Sequence, residues 1–203
     1  MINSLLNTIF QIIVFSIIPF IYFCFNRNKN KKYYLNFGLV SCQLKYIYWA
    51  FIIAFPLSVT PIILYYTNNN DCIQTFFNIE LSKITLNYSL LESFILIVIY
   101  SFFKTGFCEE LFFRGFIGKL LRKKFSFNLS NIIQSNIFAL LHLFLILLIT
   151  NNILLLIFSY LYPLVASMIG FYLNENNNKK SILPSIILHS TSNFIFLIFI
   201  YLF

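Results

Sequence analysis

Three short pieces of this sequence carry side chains able to do acid-base chemistry: Glu109 and Glu110 with Arg114, Phe138 with His142, and His189 with Asn193. These are the only two histidines in the chain, and all three pieces sit in otherwise apolar sequence. On a helix Glu110 and Arg114 are four apart on one face, whereas Glu109 is turned by roughly 100° from Glu110 and is poorly placed for the same arginine. One carboxylate is then neutralised locally and the other is left available. Phe138 with His142, and His189 with Asn193, are likewise four apart and share a face. A buried Glu109 beside a histidine is the arrangement of a general base acting on a water, with His142 orienting that water or sharing its proton. His189 and Asn193, on one face of another helix, would donate hydrogen bonds to a developing oxyanion. The chemistry this describes is hydrolysis of a carbonyl, most simply a peptide bond.

The elements that must position these groups are membrane helices. The 203-residue chain is 60% hydrophobic and 20% aromatic with only 10% charged residues, and its mean hydropathy is +0.83, far outside the soluble range. A charge at the bilayer centre costs at least about 2.5–3.5 kcal/mol, so Glu109, Glu110 and Arg114 should face protein. The net charge of +8 does not mark a nucleic-acid partner, because Lys and Arg fall in short clusters between apolar stretches, the pattern of loops kept on the cytoplasmic side. Cys24, Cys42, Cys72 and Cys108 show no pairing or metal-ligand spacing, and Cys24 and Cys108 read as small core residues.

Six spans are expected in an all-α polytopic bundle: about 5–25, 46–66, 89–118, 131–149, 153–173 and 182 to the end. No cation precedes the first span and no small-residue cleavage site follows it, which argues against a removable signal peptide. Pro19, Pro56 and Pro61 are expected kinks. The third span exceeds one crossing and should tilt or run along the interface in part. Ala166 and Gly170 are four apart and would allow close helix approach. Lys104 and Glu92 read as interfacial or snorkelling. The basic loop 26–45, the run Lys119, Arg122, Lys123, Lys124, and the turn with Lys179 and Lys180 all fall on one side, which puts both termini outside. Residues 1–88 then form two helices without a motif, and 89–203 the core that carries the chemistry. Counted from these span ends, His142 is eleven residues in, Glu110 eight and His189 seven, roughly 10–16 Å at 1.5 Å per residue, so three helices deliver polar groups to one level.

Taken alone, each pair reads first as hydrogen-bonding glue between helices, and Phe138 reads as core; only the conjunction of the three points to catalysis. Other hydrolytic chemistries fail on inventory. The single aspartate, Asp71, lies in a loop and cannot form a dyad, and no His-Glu-x-x-His or Gly-x-Ser-x-Gly occurs. A proton-coupled transporter would suit intramembrane Glu, His and Arg, but no internal repeat or matched pair of broken helices supports it.

Together, Glu109-Glu110-x-x-x-Arg114, Phe138-x-x-x-His142 and His189-x-x-x-Asn193, with EELFFRG and PSIILHSTSNF around the first and third, resemble the signature of the CAAX prenyl protease and bacteriocin-processing family of intramembrane peptidases. The resemblance covers roughly residues 89–203. It implies an all-helical membrane fold with the site facing the cytoplasm, in the plasma membrane if the source is prokaryotic. It implies that Glu109 and His142 activate water, with His189 and Asn193 at the oxyanion and Glu110 and Arg114 in support. No cofactor is needed on that reading; the alternative is a divalent metal such as zinc held by Glu109, His142 and His189 with one open position. The implied partner is a membrane-borne or lipid-anchored peptide, prenylated in some relatives, within the lipid bilayer. A non-catalytic bacteriocin-immunity or scaffold protein of the same fold is the competing function.

Overall fold

The computed structural model describes residues 2–25, 35, 37–67 and 88–203. Much of the basic loop (Arg27, Lys29, Lys31, Lys32) and of the polar segment with Asp71, Cys72, Glu80 and Lys83 lies outside them.

An apolar segment in lipid must satisfy its backbone internally, and the chain does so with helices throughout. Among the described residues six are long and apolar enough to cross a membrane. They are α1 (Ile2–Phe25), α2 (Leu44–Thr67), α3 (Leu90–Arg122), α4 (Phe127–Leu147), α5 (Ile153–Asn176) and α6 (Leu183–Leu202). All six expected spans are present, with ends shifted by a few residues. Pro19, Pro56 and Pro61 lie inside unbroken helices, as does Pro163.

Polar residues set the helix starts. Glu92 is not a snorkelling charge: it closes a capping box with Ser89, its Oε2 accepting from the Ser89 backbone N–H at 3.0 Å. Ser126 caps α4 and Asn152 caps α5. Lys104 stands over the Tyr100 ring at 4.7 Å.

α3 absorbs its excess length through its helix type. Two π-helical stretches, Tyr100–Phe107 and Leu111–Gly118, flank a single α-helical turn, Cys108–Glu110. The wider turns of a π-helix advance less per residue and redirect the side chains that follow.

α4 and α5 form an antiparallel hairpin, α6 packs between α2, α5 and the first π stretch of α3, and α1 lies against α3 at the periphery. Buried polar side chains join the helices, as expected where lipid removes the hydrophobic incentive to associate. Gln134 donates to Ser167 at 3.1 Å, Ser167 to Ser135 at 3.0 Å, and Asn131 to the Met168 carbonyl at 3.2 Å, linking α4 to α5. Asn174 donates to Ser185 Oγ at 2.7 Å and accepts from the Ser185 backbone at 3.1 Å, linking α5 to α6. Gly170 lets that contact form, since a Cβ there would stand 3.1 Å from Ser185 Cβ. Ala166 lines a cavity instead. Cys24, Cys42 and Cys108 are free; Cys108 is buried as expected, but Cys24 is exposed on α1, away from the core.

At the end with the basic loops, Glu175 accepts from Lys119 at 2.7 Å and from Arg122 at 3.1 Å, with Lys180 at 3.7 Å. Residues 37–43 pass beneath. The Gly38 carbonyl accepts from Ile182 N–H at 2.9 Å, and Gly38 has φ +76°, a left-handed conformation that suits glycine.

Candidate active site

The third span delivers its carboxylates from the α-helical turn between its two π stretches. Glu110 and Arg114 meet as their spacing predicts: Arg114 Nη1 lies 3.0 Å from Glu110 Oε1, and both side chains are buried, 3% and 1% exposed. The guanidinium also stacks on the Phe138 ring, 4.2 Å from its centroid. Phe138 is thus core, as expected, and at the same time the platform for the arginine. From α6, His189 Nδ1 sits 2.9 Å from the same Glu110 oxygen. Glu110 is held by a cation on one side and an imidazole N–H on the other.

Glu109 points elsewhere. Its Oε2 is 4.0 Å from His189 Nε2, beyond hydrogen-bond distance, and this buried oxygen has no hydrogen-bond partner. A buried carboxylate oxygen left without a donor is costly and calls for an explanation, and a site that binds something supplies one. His142 is fixed from its own helix. A carbonyl can only accept, so the 2.9 Å contact from Nδ1 to the Phe138 oxygen makes Nδ1 the donor and leaves the Nε2 lone pair free to accept a proton.

Asn193 Nδ2 donates to Thr105 Oγ1 at 3.0 Å. The Thr105 hydroxyl in turn donates to the Tyr100 or Ser101 carbonyl, at 3.1 and 3.2 Å, in the π stretch. Thr105 was not singled out in the sequence, although it precedes Glu109 by four residues. Tyr162, whose hydroxyl is 3.1 Å from Ser192 Oγ, was also missed; its one signal was the row Tyr162, Ala166, Gly170 at helical spacing.

Glu109, Glu110, Arg114, Phe138, His142, His189 and Asn193 all line one cavity of about 580 Å³, within the ~300–1,000 Å³ usual for ligand sites. All six residues expected in the site are therefore brought together. The depth count that anticipated this changes with the helix ends. His142 is fifteen residues past Phe127, Glu110 twelve before Arg122 and His189 six past Leu183, yet they meet because the helices start at different levels.

Glu109, His142 and His189 have the donor chemistry of a zinc site. As placed, however, no three His, Cys, Asp or Glu side chains among the described residues are grouped as an ion requires. The arrangement does offer one unpartnered carboxylate, two oriented imidazoles and an amide around a space large enough for a peptide segment.

No curated protein and no solved structure matches the chain. Residues 91–195, which hold every residue of the site, match the family described as type II CAAX prenyl endopeptidase Rce1-like. With that match across half of its length and six helices able to cross a membrane, this chain is an integral multi-pass membrane protein and belongs to the Rce1-like protease family.

Proposed function

We propose that the protein is an intramembrane endopeptidase that hydrolyses a peptide bond in a membrane-borne or lipid-anchored peptide, the prenylated CAAX type included. The observation that carries this reading is the inequality of the two adjacent glutamates. Glu110 is committed through Oε1 to both Arg114 and His189, while Glu109 has neither contact and presents a buried oxygen without a hydrogen-bond partner to the cavity.

In the reaction, Glu109 takes a proton from a water that His142 Nε2 helps to orient. The resulting hydroxide attacks the scissile carbonyl, and the C–N bond breaks as the nitrogen receives that proton back, from Glu109 directly or through His189 Nε2 beside it. The second N–H of Asn193 is available to the oxyanion while the first is spent on Thr105. Glu110 and Arg114 hold His189 in place. The basic face belongs to the cytoplasm by the positive-inside tendency, in the plasma membrane of a prokaryotic source.

The test compares wild-type and Glu109→Gln protein in liposomes, with a quenched prenylated peptide and a set of apolar membrane peptides, each with and without a chelator. Wild-type should cleave regardless of chelator, and Glu109→Gln should lose about 10²–10⁴-fold, the usual contribution of a general base. A Glu109→Gln protein that cleaves at the wild-type rate would exclude Glu109 as the base. A folded wild-type that cleaves nothing would favour the immunity or scaffold function.

A further inference from the structure

A carboxamide has two ends, and they act oppositely on a negative charge. The nitrogen carries two N–H donors, whereas the oxygen only accepts and repels an anion. Asn193, on α6, helps an oxyanion only while a donor stands where the charge forms, and half a turn about its last side-chain bond puts the oxygen in the place of the nitrogen. The group that selects between the two ends stands on α3.

That group is the hydroxyl of Thr105, a residue 8% exposed. A hydroxyl has a single proton to donate. Two backbone carbonyls of the first π stretch lie within its reach, Tyr100 O at 3.1 Å and Ser101 O at 3.2 Å. On an α-helix a threonine back-bonds to the carbonyl four residues earlier; here the carbonyl five residues earlier is as close, in keeping with the wider π turn. Carbonyls only accept, so the proton goes to one of them, and whichever takes it, Thr105 turns a lone pair toward α6. Asn193 must then answer with a donor, and Nδ2 lies 3.0 Å from Thr105 Oγ1. Fixing the first N–H also fixes the second, which shares the same planar nitrogen. Thr105 and Asn193 both line the cavity with Glu109, which follows Thr105 by four residues. The two helices can touch here because Gly106 lets Ser190 in close, and Asn193 is one turn further along α6.

We propose that Thr105 is a positioning residue for the hydrolysis: by offering only a lone pair to Asn193, it holds that amide with its nitrogen, and so with a free N–H, available to the developing oxyanion. The inference rests on the endopeptidase reading for the charge that forms, and it gives the first π stretch a task, which is to supply the carbonyls that occupy the Thr105 proton.

The test is a double-mutant cycle on cleavage of a quenched prenylated peptide in liposomes, with Thr105→Val, Asn193→Ala and the two combined. Asn193→Ala should lower kcat by about 10²–10³-fold, the usual loss of one oxyanion donor. Thr105→Val keeps the shape and removes the hydroxyl; it should lower kcat by up to about 10²-fold, the scale of a small misplacement, with KM unchanged. Thr105→Ser should recover most of that loss, and on the Asn193→Ala background Thr105→Val should cost nothing further. An equal loss on both backgrounds would mean that Thr105 only braces its own helix and would overturn the proposal, as would a Thr105→Val protein at the wild-type rate. Thr105→Ala removes the same acceptor and carries the same expectations where Thr105→Val does not fold. A second readout needs no turnover: with isotope-labelled asparagine, the Asn193 side-chain amide, assigned by its absence in Asn193→Ala, should resist solvent exchange in wild-type protein and lose that protection in Thr105→Val. A wild-type protein that cleaves nothing would sink the endopeptidase reading, and the amide then decides by itself, protection lost in Thr105→Val upholding the clamp and identical exchange in the two proteins overturning it.

Discussion

Two neighbouring glutamates with opposite situations set the chemistry at the residue scale. Glu110 is enclosed by Arg114 and His189, so removing either partner leaves a charge stranded in the core. Arg114→Ala should therefore cost about 3–5 kcal/mol, read as a lower melting temperature in detergent. Glu109→Gln should leave the melting temperature unchanged or raise it, because the side chain gives up a negative charge on a buried group whose Oε2 has no hydrogen-bond donor. Equal destabilisation by the two changes would show that Glu109 is structural after all. This division could be read from sequence because it needs only the helical spacing of positions 109, 110 and 114. What sequence could not supply is the second contact to Glu110, since nothing in the spacing says which nitrogen of His189 faces which carboxylate. His189 and Asn193 are accordingly less free to serve an oxyanion than their shared face implied, for each already has a partner.

At the scale of elements, the π-helical character of α3 places the site, and it was the least legible feature. Tyr100–Phe107 reads as one more apolar stretch, and i→i+5 bonding leaves no periodic signature in a run of aromatics. The clue lay in Gly106. A Cβ there would stand 1.9 Å from Ser190 Oγ and 2.8 Å from the Ser101 carbonyl, so α3 and α6 touch backbone to side chain next to His189. Gly106→Ala should destabilise by ~1–3 kcal/mol or more and displace His189, lowering turnover beyond what stability alone explains. Adding Ser190→Gly should restore part of both, measured as melting temperature and cleavage rate, because it removes the nearer obstacle and leaves the Ser101 carbonyl. The spans themselves were legible because twenty apolar residues have few other uses. Glu92 was misread although Ser89-x-x-Glu92 has the spacing of a capping box, since an isolated carboxylate at a span end also looks like a snorkelling charge.

Across the whole molecule, charge is concentrated at one end. Glu175, 4% exposed, gathers Lys119, Arg122 and Lys180 from two further parts of the chain. Glu175→Gln should lower stability by about 1.5–3 kcal/mol, the scale of hydrogen bonds to charged groups, in thermal unfolding, and should open the strap at residues 37–43 to protease. Unchanged proteolysis there would mean that Gly38 and Ile182 close the end without help.

Chain order gives this architecture a temporal side. Glu109, Glu110 and Arg114 leave the ribosome first, then His142, and His189 follows both with α6. The nascent protein thus carries Glu109 and His142 before the imidazole that locks Glu110, and Ser190 must slot against Gly106 to bring that imidazole home. On the endopeptidase reading proposed above, the site stays incomplete until α6 is inserted, so hydrolysis should begin only after that helix has joined the bundle.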